Sequence, residues 1–391
     1  MKVQYKRVFW IVLDSFGIGY TKDANKYGDV GSNTFGALIK TNKLKISTLN
    51  KLGLSNIDGV EYKYNKNAKG SYLRLAEVSA GKDTAVGHFE MCGLITEKPY
   101  PTFPNGFPKE CIKKLEKAFG HKVLCNKAYS GTEVIKDYGE QSIKEKKPIV
   151  YTSGDSVLQI ACHESSFSVE ELYKMCEKAR EIMQGDWQVD RIIARPFVDS
   201  YPFVRSDRRK DYALPPKQET ALDILKNNHF DVISVGKIYD IFSSQGITQA
   251  LPAHNNKESG EQLLNTQKMD FNGLCFCNFN DFDSKYGHRN NALGYTKALN
   301  EFDKVLKKFI SKMRKHDVVI ITADHGNDPS TESTDHSREY VPCLIYGNNI
   351  KANVNLGTKK GLFNMSATIL DMFNLKAKKG KSFLKEIEKT S

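Results

Sequence analysis

Three carboxylates and three imidazoles in this chain have the types and spacing of metal ligands. Asp324 and His325 are adjacent, and His336 follows eleven residues after His325. Asp283 and His288 repeat the pairing in DFDSKYGH, and Asp14 opens the segment DSFGIG. Carboxylate oxygen and imidazole nitrogen suit hard-to-borderline divalent ions such as Mn²⁺ and Zn²⁺. Six such ligands exceed what one tetrahedral ion takes, so the set implies two ions. Thr84, in AGKDTAVGH, adds a hydroxyl just ahead of a helical pattern. Free amides at a helix N-terminus stabilise an arriving anion, so a hydroxyl there is well placed to meet one. Each piece alone also has a plainer reading: an Asp-His pair can cap a strand end, Asp begins many turns, and Thr is a common N-cap.

The ligands need strand ends to hold them. Arg7–Leu13, Gly273–Phe279 and Val318–Ile321 are apolar, β-branched-rich runs that read as strands buried on both faces. Asp14, Asp283 and Asp324 each lie just past one of them, where open α/β sheets place their ligands. Asp231–Lys237 resumes the same rhythm, and helical patterns separate the strands. This predicts an α/β fold whose mostly parallel sheet is joined by right-handed crossovers. Gly31–Gly36 opens a helix with Asn33 or Thr34 as cap, and the Asn/Lys-rich stretch Tyr62–Lys69 reads as a surface loop or hairpin tip.

Between the proline clusters Lys98–Pro104 and Leu214–Pro216 the pattern changes. Helices at Lys109–Phe119 and Val169–Gln184 mix with strands at Pro148–Thr152 and Arg191–Pro196. The expectation is a small α+β domain, residues 99–214, inserted into a core made of residues 1–98 and 215–391.

The length of 391 residues fits two domains, or one large domain with an insertion. With 40% hydrophobic and 27% charged residues, the chain has a soluble, folded composition rather than a disordered one. Its eight cysteines form no CxxC and read as reduced core residues, not a disulfide framework or a zinc ribbon. No apolar run approaches membrane length and no cleavage-type segment precedes Val8–Leu13, which points to the cytoplasm and away from a membrane. The formal charge of +12 is spread as lysine, notably over Lys304–Lys315 and Lys376–Lys389, in segments that look exposed. A solvated surface explains it better than a nucleic-acid footprint, for which no RNP-like or helix-turn-helix motif is present. The charge also favours small anionic substrates.

Taken in order, DSFGIG (14–19), GKDT with GH (81–88), DFD with YGH (281–288) and TADHGND with TDH (322–336) resemble the motifs of the phosphopentomutases, members of the alkaline phosphatase superfamily. Within the inserted region, NK (126–127), SGTE (130–133), YTSGDSVLQIACHE (151–164), RIIARPF (191–197) and DYAL (211–214) resemble that family's cap domain. The resemblance implies an alkaline-phosphatase-like core with an inserted cap, and two Mn²⁺ ions per chain, other divalent ions being possible. By motif, Asp14, Asp283, His288, Asp324, His325 and His336 match the metal ligands. Thr84 matches the phosphorylated nucleophile, which also touches the metals. Ser153, Asp155, Arg191, Arg205 and Lys237 match positions that hold the sugar phosphate. The activity implied is interconversion of ribose or deoxyribose 1-phosphate and 5-phosphate through a pentose 1,5-bisphosphate. A sugar bisphosphate such as glucose 1,6-bisphosphate would act as activator. The oligomeric state is open, and a monomer is compatible. Three departures stand out: Val86 replaces a second hydroxyl, NKAYSGTE lacks a proline, and Lys210 replaces a histidine. A phosphatase or phosphodiesterase on the same core, and a cofactor-independent phosphoglycerate mutase, are the rival enzyme readings. A basic nucleic-acid-binding protein is the rival from another class.

Overall fold

The run RVFWIVL forms strand β1 (Arg7–Leu13), buried at every position. Its only charge, Arg7, is compensated inside: the guanidinium is bidentate to Asp317 at 2.8 and 2.6 Å and donates to the carbonyls of Gln267 and Met269. The computed structural model describes residues 4–390. They form two compact units, one comprising the residues up to Lys98 and from Pro216 onward, the other Pro99–Pro215.

After β1 the strands are β2 (Ser71–Ala76), β3 (Leu124–Ala128), β4 (Ile149–Thr152), β5 (Val157–His163), β6 (Arg191–Val198), β7 (Val204–Arg205) and β8 (Lys210–Ala213). They continue with β9 (Asp231–Val235), β10 (Gln249–Leu251), β11 (Gly273–Phe279), β12 (Asp317–Thr322), β13 (Val341–Gly347) and β14 (Val354–Lys360). Among the described residues, eight strands build the sheet of the first unit in the order β10-β9-β11-β1-β12-β13-β2-β14. All neighbours run parallel except β13, which is antiparallel to both β12 and β2. The register sets Leu13 beside Phe279, and Val12 beside Thr322. β1, β11 and β12 therefore end at one level.

Helices cover this sheet through single stripes. In Ala292–Ile310 the buried residues include Tyr295, Leu299, Phe302, Leu306 and Phe309, a four-three repeat that keeps one face inward. Lys304 and Lys308 lie on the exposed remainder, and the helix stops at Ile310, short of the lysine-rich stretch as first delimited. Trp10 stacks on Phe276 at 4.4 Å within the same core.

The second unit is built on a sheet of order β3-β4-β5-β6-β7, with β8 pairing β6. Helices Lys109–Phe119 and Val169–Ile182 pack on one face, burying Cys111, Leu115, Leu172 and Cys176 with Ile160, Ile192 and Ala194. Helix Glu133–Glu145 covers part of the other face with Val134 and Ile135 against Ile149, Ala161 and Phe197. The eight cysteines are free thiols, and all but Cys125 are buried. Among the described residues no helix is long and apolar enough to cross a membrane.

Candidate active site

Because β11, β1 and β12 are adjacent and parallel, their carboxyl ends deliver Asp14, Asp283 and Asp324 to one place. His325 follows Asp324 directly, and its Nε2 lies 3.3 Å from Asp324 Oδ2 and 3.5 Å from Asp14 Oδ1. Asp283 is bracketed by two imidazoles, His288 Nε2 and His336 Nε2, each 3.2 Å from one of its oxygens. The three rings neighbour one another, with centroids 4.1 Å apart for His325 and His336, and 4.6 Å for His288 and His336. Two triads result, Asp14-Asp324-His325 and Asp283-His325-His336, in each of which the ligand atoms lie within 4.8 Å of one another. Donor atoms bound to a common ion stand about two metal–ligand bonds of roughly 2 Å apart, so both triads have the right gauge.

Local hydrogen bonds fix which nitrogen faces inward. His325 Nδ1 donates to the Gly326 carbonyl at 2.9 Å and His288 Nδ1 to the Thr334 carbonyl at 2.7 Å, leaving each Nε2 as a lone-pair donor. Asp14 Oδ1, Asp324 Oδ2 and His336 Nε2 are buried with no hydrogen-bond partner. Such orphans are costly in a protein interior, and a cation satisfies all three together.

The electrostatics carry the same message. Burial, then the neighbouring Asp324 and Asp283 carboxylates, push Asp14 up to about 6, while the nearby Lys237 ammonium pulls the other way. Burial also works against Asp324, yet His325 and His88 hold it at about 2. Against burial again, His336 and His288 hold Asp283 well below the usual carboxylate range. Carboxylates clustered this deeply call for positive charge, and the donor set of oxygen and imidazole nitrogen fits divalent ions.

Thr84 is the first residue of helix Thr84–Met91, and its N-cap is Asp83, whose side chain accepts from Val86 N. The plain capping role therefore falls to Asp83 and leaves the Thr84 hydroxyl uncommitted to the backbone. Thr84 Oγ1 sits 3.1 Å from His325 Nε2, which fastens it to the ligand cluster. The first α-type bond of this helix runs from Gly87 N to Asp83 O, so the amides at Thr84 and Ala85 precede the ladder. The helix is pressed against the β12 end: a Cβ on Gly87 would stand 2.6 Å from the Asp324 carbonyl oxygen.

Several residues of this region carry no role in the sequence reading. His88 is buried one turn after Thr84; its Nδ1 donates to the Thr84 carbonyl at 2.8 Å and lies 3.2 Å from Asp324 Oδ2. Asn278, inside β11, donates to Asp14 Oδ2 at 3.0 Å and approaches His88 Nε2 at 3.4 Å. Glu339 accepts from Gly19 N, Thr34 N, Thr34 Oγ1 and Ser337 Oγ, tying the loop after β1 to the segment after β12. The fully buried Arg338 grips Glu77 and the Gly81 carbonyl, just ahead of Thr84. The i, i+4 spacing of Thr84 and His88 was a readable signal; the others lie in segments whose pairing only the tertiary structure reveals.

Of the remaining sequence-predicted residues, Lys237 follows β9 in the first unit, on the same side of the sheet as the three carboxylates. In the second unit Asp155 and Arg191 come within 4.0 Å of each other, and Ser153 Oγ accepts from Asp155 N. Arg205 stands apart from that pair's contacts and donates to the Gly131 carbonyl at 3.2 Å.

Comparison with known proteins matches residues 6–377 to the family described as the metalloenzyme superfamily. The chain is 51% identical to a phosphopentomutase of Lachnoclostridium phytofermentans over 98% of this chain and 100% of that one. It is 49% identical to a phosphopentomutase of Acetivibrio thermocellus, over 98% and 100% of the two chains. Among solved structures it is similar to the PH0037 protein of Pyrococcus horikoshii, with a TM-score of 0.50 and 14% identity over 97% of this chain and 100% of that one, a likeness of fold alone.

Proposed function

The chain belongs to the phosphopentomutases, within the metalloenzyme superfamily and with an alkaline-phosphatase-like α/β fold, and on that premise we propose that it interconverts ribose 1-phosphate and ribose 5-phosphate, along with their 2-deoxy counterparts. The observation that carries the finer reading is the placement of Thr84 Oγ1 at a helix N-terminus, 3.1 Å from an imidazole of a six-ligand cluster. Phospho-Thr84 gives its phosphoryl group to the free hydroxyl of the bound pentose phosphate. The resulting pentose 1,5-bisphosphate returns its other phosphate to Thr84, which regenerates the phosphoenzyme and releases the isomer.

Asp14, Asp324, His325, Asp283, His288 and His336 would hold two divalent ions, manganese in our reading. When bound, the ions supply the positive charge that neutralises the transferring group and acidifies the threonine hydroxyl. The protein's own contribution is positional. Asp83 fixes the start of the helix, so its leading amides point at the incoming phosphate. The β-methyl of Thr84 restricts χ1 and holds the oxygen in line with phosphorus. His88 ties the Thr84 carbonyl to Asp324, so nucleophile and ligand move together. We assign recognition of the sugar to residues 99–214 acting as a mobile cap, with Asp155 accepting from ribose hydroxyls and Ser153, Arg191 and Arg205, together with Lys237 of the core, holding phosphate. A cap of this kind would keep water from the phosphoenzyme.

The test is to incubate the Mn²⁺-loaded protein with ribose 1-phosphate and a catalytic amount of glucose 1,6-bisphosphate. Ribose 5-phosphate is the expected product. Free phosphate released in its place would move the assignment to a metal-dependent phosphatase.

A further inference from the structure

Asn278 is the one carboxamide in β11, a strand buried at every position. Its register partner in β1 is Val12, and Phe276 is the partner of Trp10. Side chains alternate along a strand, so Asn278 shares a face with Trp10, Val12 and Phe276 and leans toward Asp14, two residues beyond Val12. Helix Thr84–Met91 meets that face through His88, whose ring centroid lies 5.9 Å from that of Phe276. Asn278 thus stands between the end of β1 and the helix that begins with Thr84.

Its neighbours orient the amide. A carboxylate oxygen only accepts, so the Asn278 group 3.0 Å from Asp14 Oδ2 is the NH2. The second hydrogen of that group is left for His88 Nε2, 3.4 Å away. The other ring nitrogen, Nδ1, donates to the Thr84 carbonyl at 2.8 Å and lies 3.2 Å from Asp324 Oδ2. One amide thereby links Asp14, His88, Thr84 and Asp324. Its far side goes unsatisfied, because Asn278 Oδ1 is buried without a hydrogen-bond partner. An apolar side chain would spare the core that loss. Asn327 repeats the arrangement at the other triad. It is equally buried, its Nδ2 donates to Asp283 Oδ1 at 3.2 Å and lies 3.5 Å from His288 Nδ1, and its Oδ1 also has no partner. The two differ in the ring they meet: His288 is itself one of the six candidate ligands, whereas His88 leads to Thr84.

We propose that Asn278 is a positioning residue whose single NH2 group sets the Asp14 carboxylate and, through the His88 ring, the Thr84 carbonyl, aligning the Asp14-Asp324-His325 triad with the threonine. Hydrogen-bond partners behind ligand groups are worth about 10–100-fold in metal affinity or activity. Asn278 carries two such duties at once, which accounts for an amide in a strand otherwise filled with apolar and thiol side chains. The link to Thr84 as nucleophile rests on the proposed function; the hold on Asp14 does not.

The experiment is a double-mutant cycle on the full chain. Calorimetry gives Mn²⁺ affinity, and kcat and KM for ribose 1-phosphate are measured at saturating Mn²⁺. Asn278→Val should weaken one Mn²⁺-binding event about tenfold and, with the ion saturating, lower kcat about tenfold, while KM changes less than threefold. His88→Asn keeps an N–H donor where Nδ1 stands and removes Nε2, so it cuts Asn278 off from Thr84 and should lower kcat by about the same tenfold. Combined, the two should still lower kcat only about tenfold, since both break one link; independent sites would multiply to about 100-fold. Asn327→Val should also weaken Mn²⁺ binding, but its effect on kcat should multiply with that of His88→Asn. Should Asn278→Val lose its cooperative melt, Asn278→Ser, which is smaller and able to reach only one of the two acceptors, takes its place in the cycle. Wild-type Mn²⁺ affinity or wild-type kcat in the folded Asn278 variant, or a 100-fold loss in the double variant, would overturn the inference and leave the mutase reading standing. A wild-type chain that releases phosphate and forms no ribose 5-phosphate would overturn the mutase reading, and the same cycle, read on phosphate release, would then decide the Asn278 link by the same criteria.

Discussion

Gly87→Ala isolates the contact that presses the helix starting at Thr84 onto the strand end that carries Asp324. The new Cβ would sit 2.6 Å from the Asp324 carbonyl oxygen and 3.0 Å from the Asp324 Cβ. Ordinary van der Waals contact begins near 3.4 Å, so helix and strand end must part by 3.4 − 2.6 = 0.8 Å. Gly87 lies three residues after Thr84, on the same turn, and the shift passes to a hydroxyl now 3.1 Å from His325 Nε2. Misplacing a reacting group by about 1 Å costs on the order of 100-fold in rate. Stability should change little, because overpacking costs about 1–3 kcal/mol while alanine in a helix recovers about 1 kcal/mol relative to glycine. The expected signature is therefore a kcat reduced about 100-fold, a melting temperature lowered by only a few degrees, and full metal content. Formation of ribose 5-phosphate, differential scanning calorimetry and plasma mass spectrometry read the three quantities. Wild-type kcat in a normally folded Gly87→Ala variant would refute the reasoning, since the nucleophile's position would then not depend on this contact.

Thr84→Ala should abolish mutase activity with the metals retained, Thr84→Ser should keep part of it with more hydrolysis, and mass spectrometry should find phosphate on Thr84 of the active enzyme; a fully active Thr84→Ala variant would remove the covalent mechanism. Stripping divalent ions with a chelator should lower the melting temperature, by the equivalent of about 2.7 kcal/mol if the ion had been present at 100 times its Kd, and added Mn²⁺ should restore it; an unchanged melt would mean that the orphaned Asp14, Asp324 and His336 atoms need no ion. Arg7→Ala should destabilise the first unit by about 3–5 kcal/mol in urea unfolding, because it strands a buried Asp317, and the double variant Arg7→Met, Asp317→Leu should recover most of the loss.

The gathering of Asp14, Asp283, His288, Asp324, His325 and His336 was legible in the sequence because each carboxylate follows a buried apolar run, and such runs announce both a strand and its end. β1 and β11 have the expected limits, and β12 is one residue longer at each end. Four other core strands, β2, β10, β13 and β14, were not readable. β14, VNLGTKK, has little buried surface, and its polar pattern resembles a loop. β13 contains Pro342 and β2 contains Arg74, and these two residues face each other in an antiparallel pairing that no local signal encodes. At the site, His88 shares a helical face with Thr84, yet its tie to Asp324 joins segments more than 200 residues apart and escapes any local pattern.

The position of β1 in the middle of its sheet has a consequence for biogenesis. It is made first, but its two neighbours, β11 and β12, begin at Gly273 and Asp317. At ribosomal rates of about 5–20 residues per second, β1 waits on the order of 13–52 s for β11 with both edges unpaired, and on the order of 15–60 s for β12. During that interval the second unit can complete its own hydrophobic clusters from residues 99–215, which all precede β11. The Asp and His cluster, by contrast, stays incomplete until β12 pairs with β1, because Asp14 and Asp324 become neighbours only then. Ion capture by the nascent chain should thus report the end of folding rather than assist its beginning, and a truncated chain released before β12 should carry no cradle for the ions.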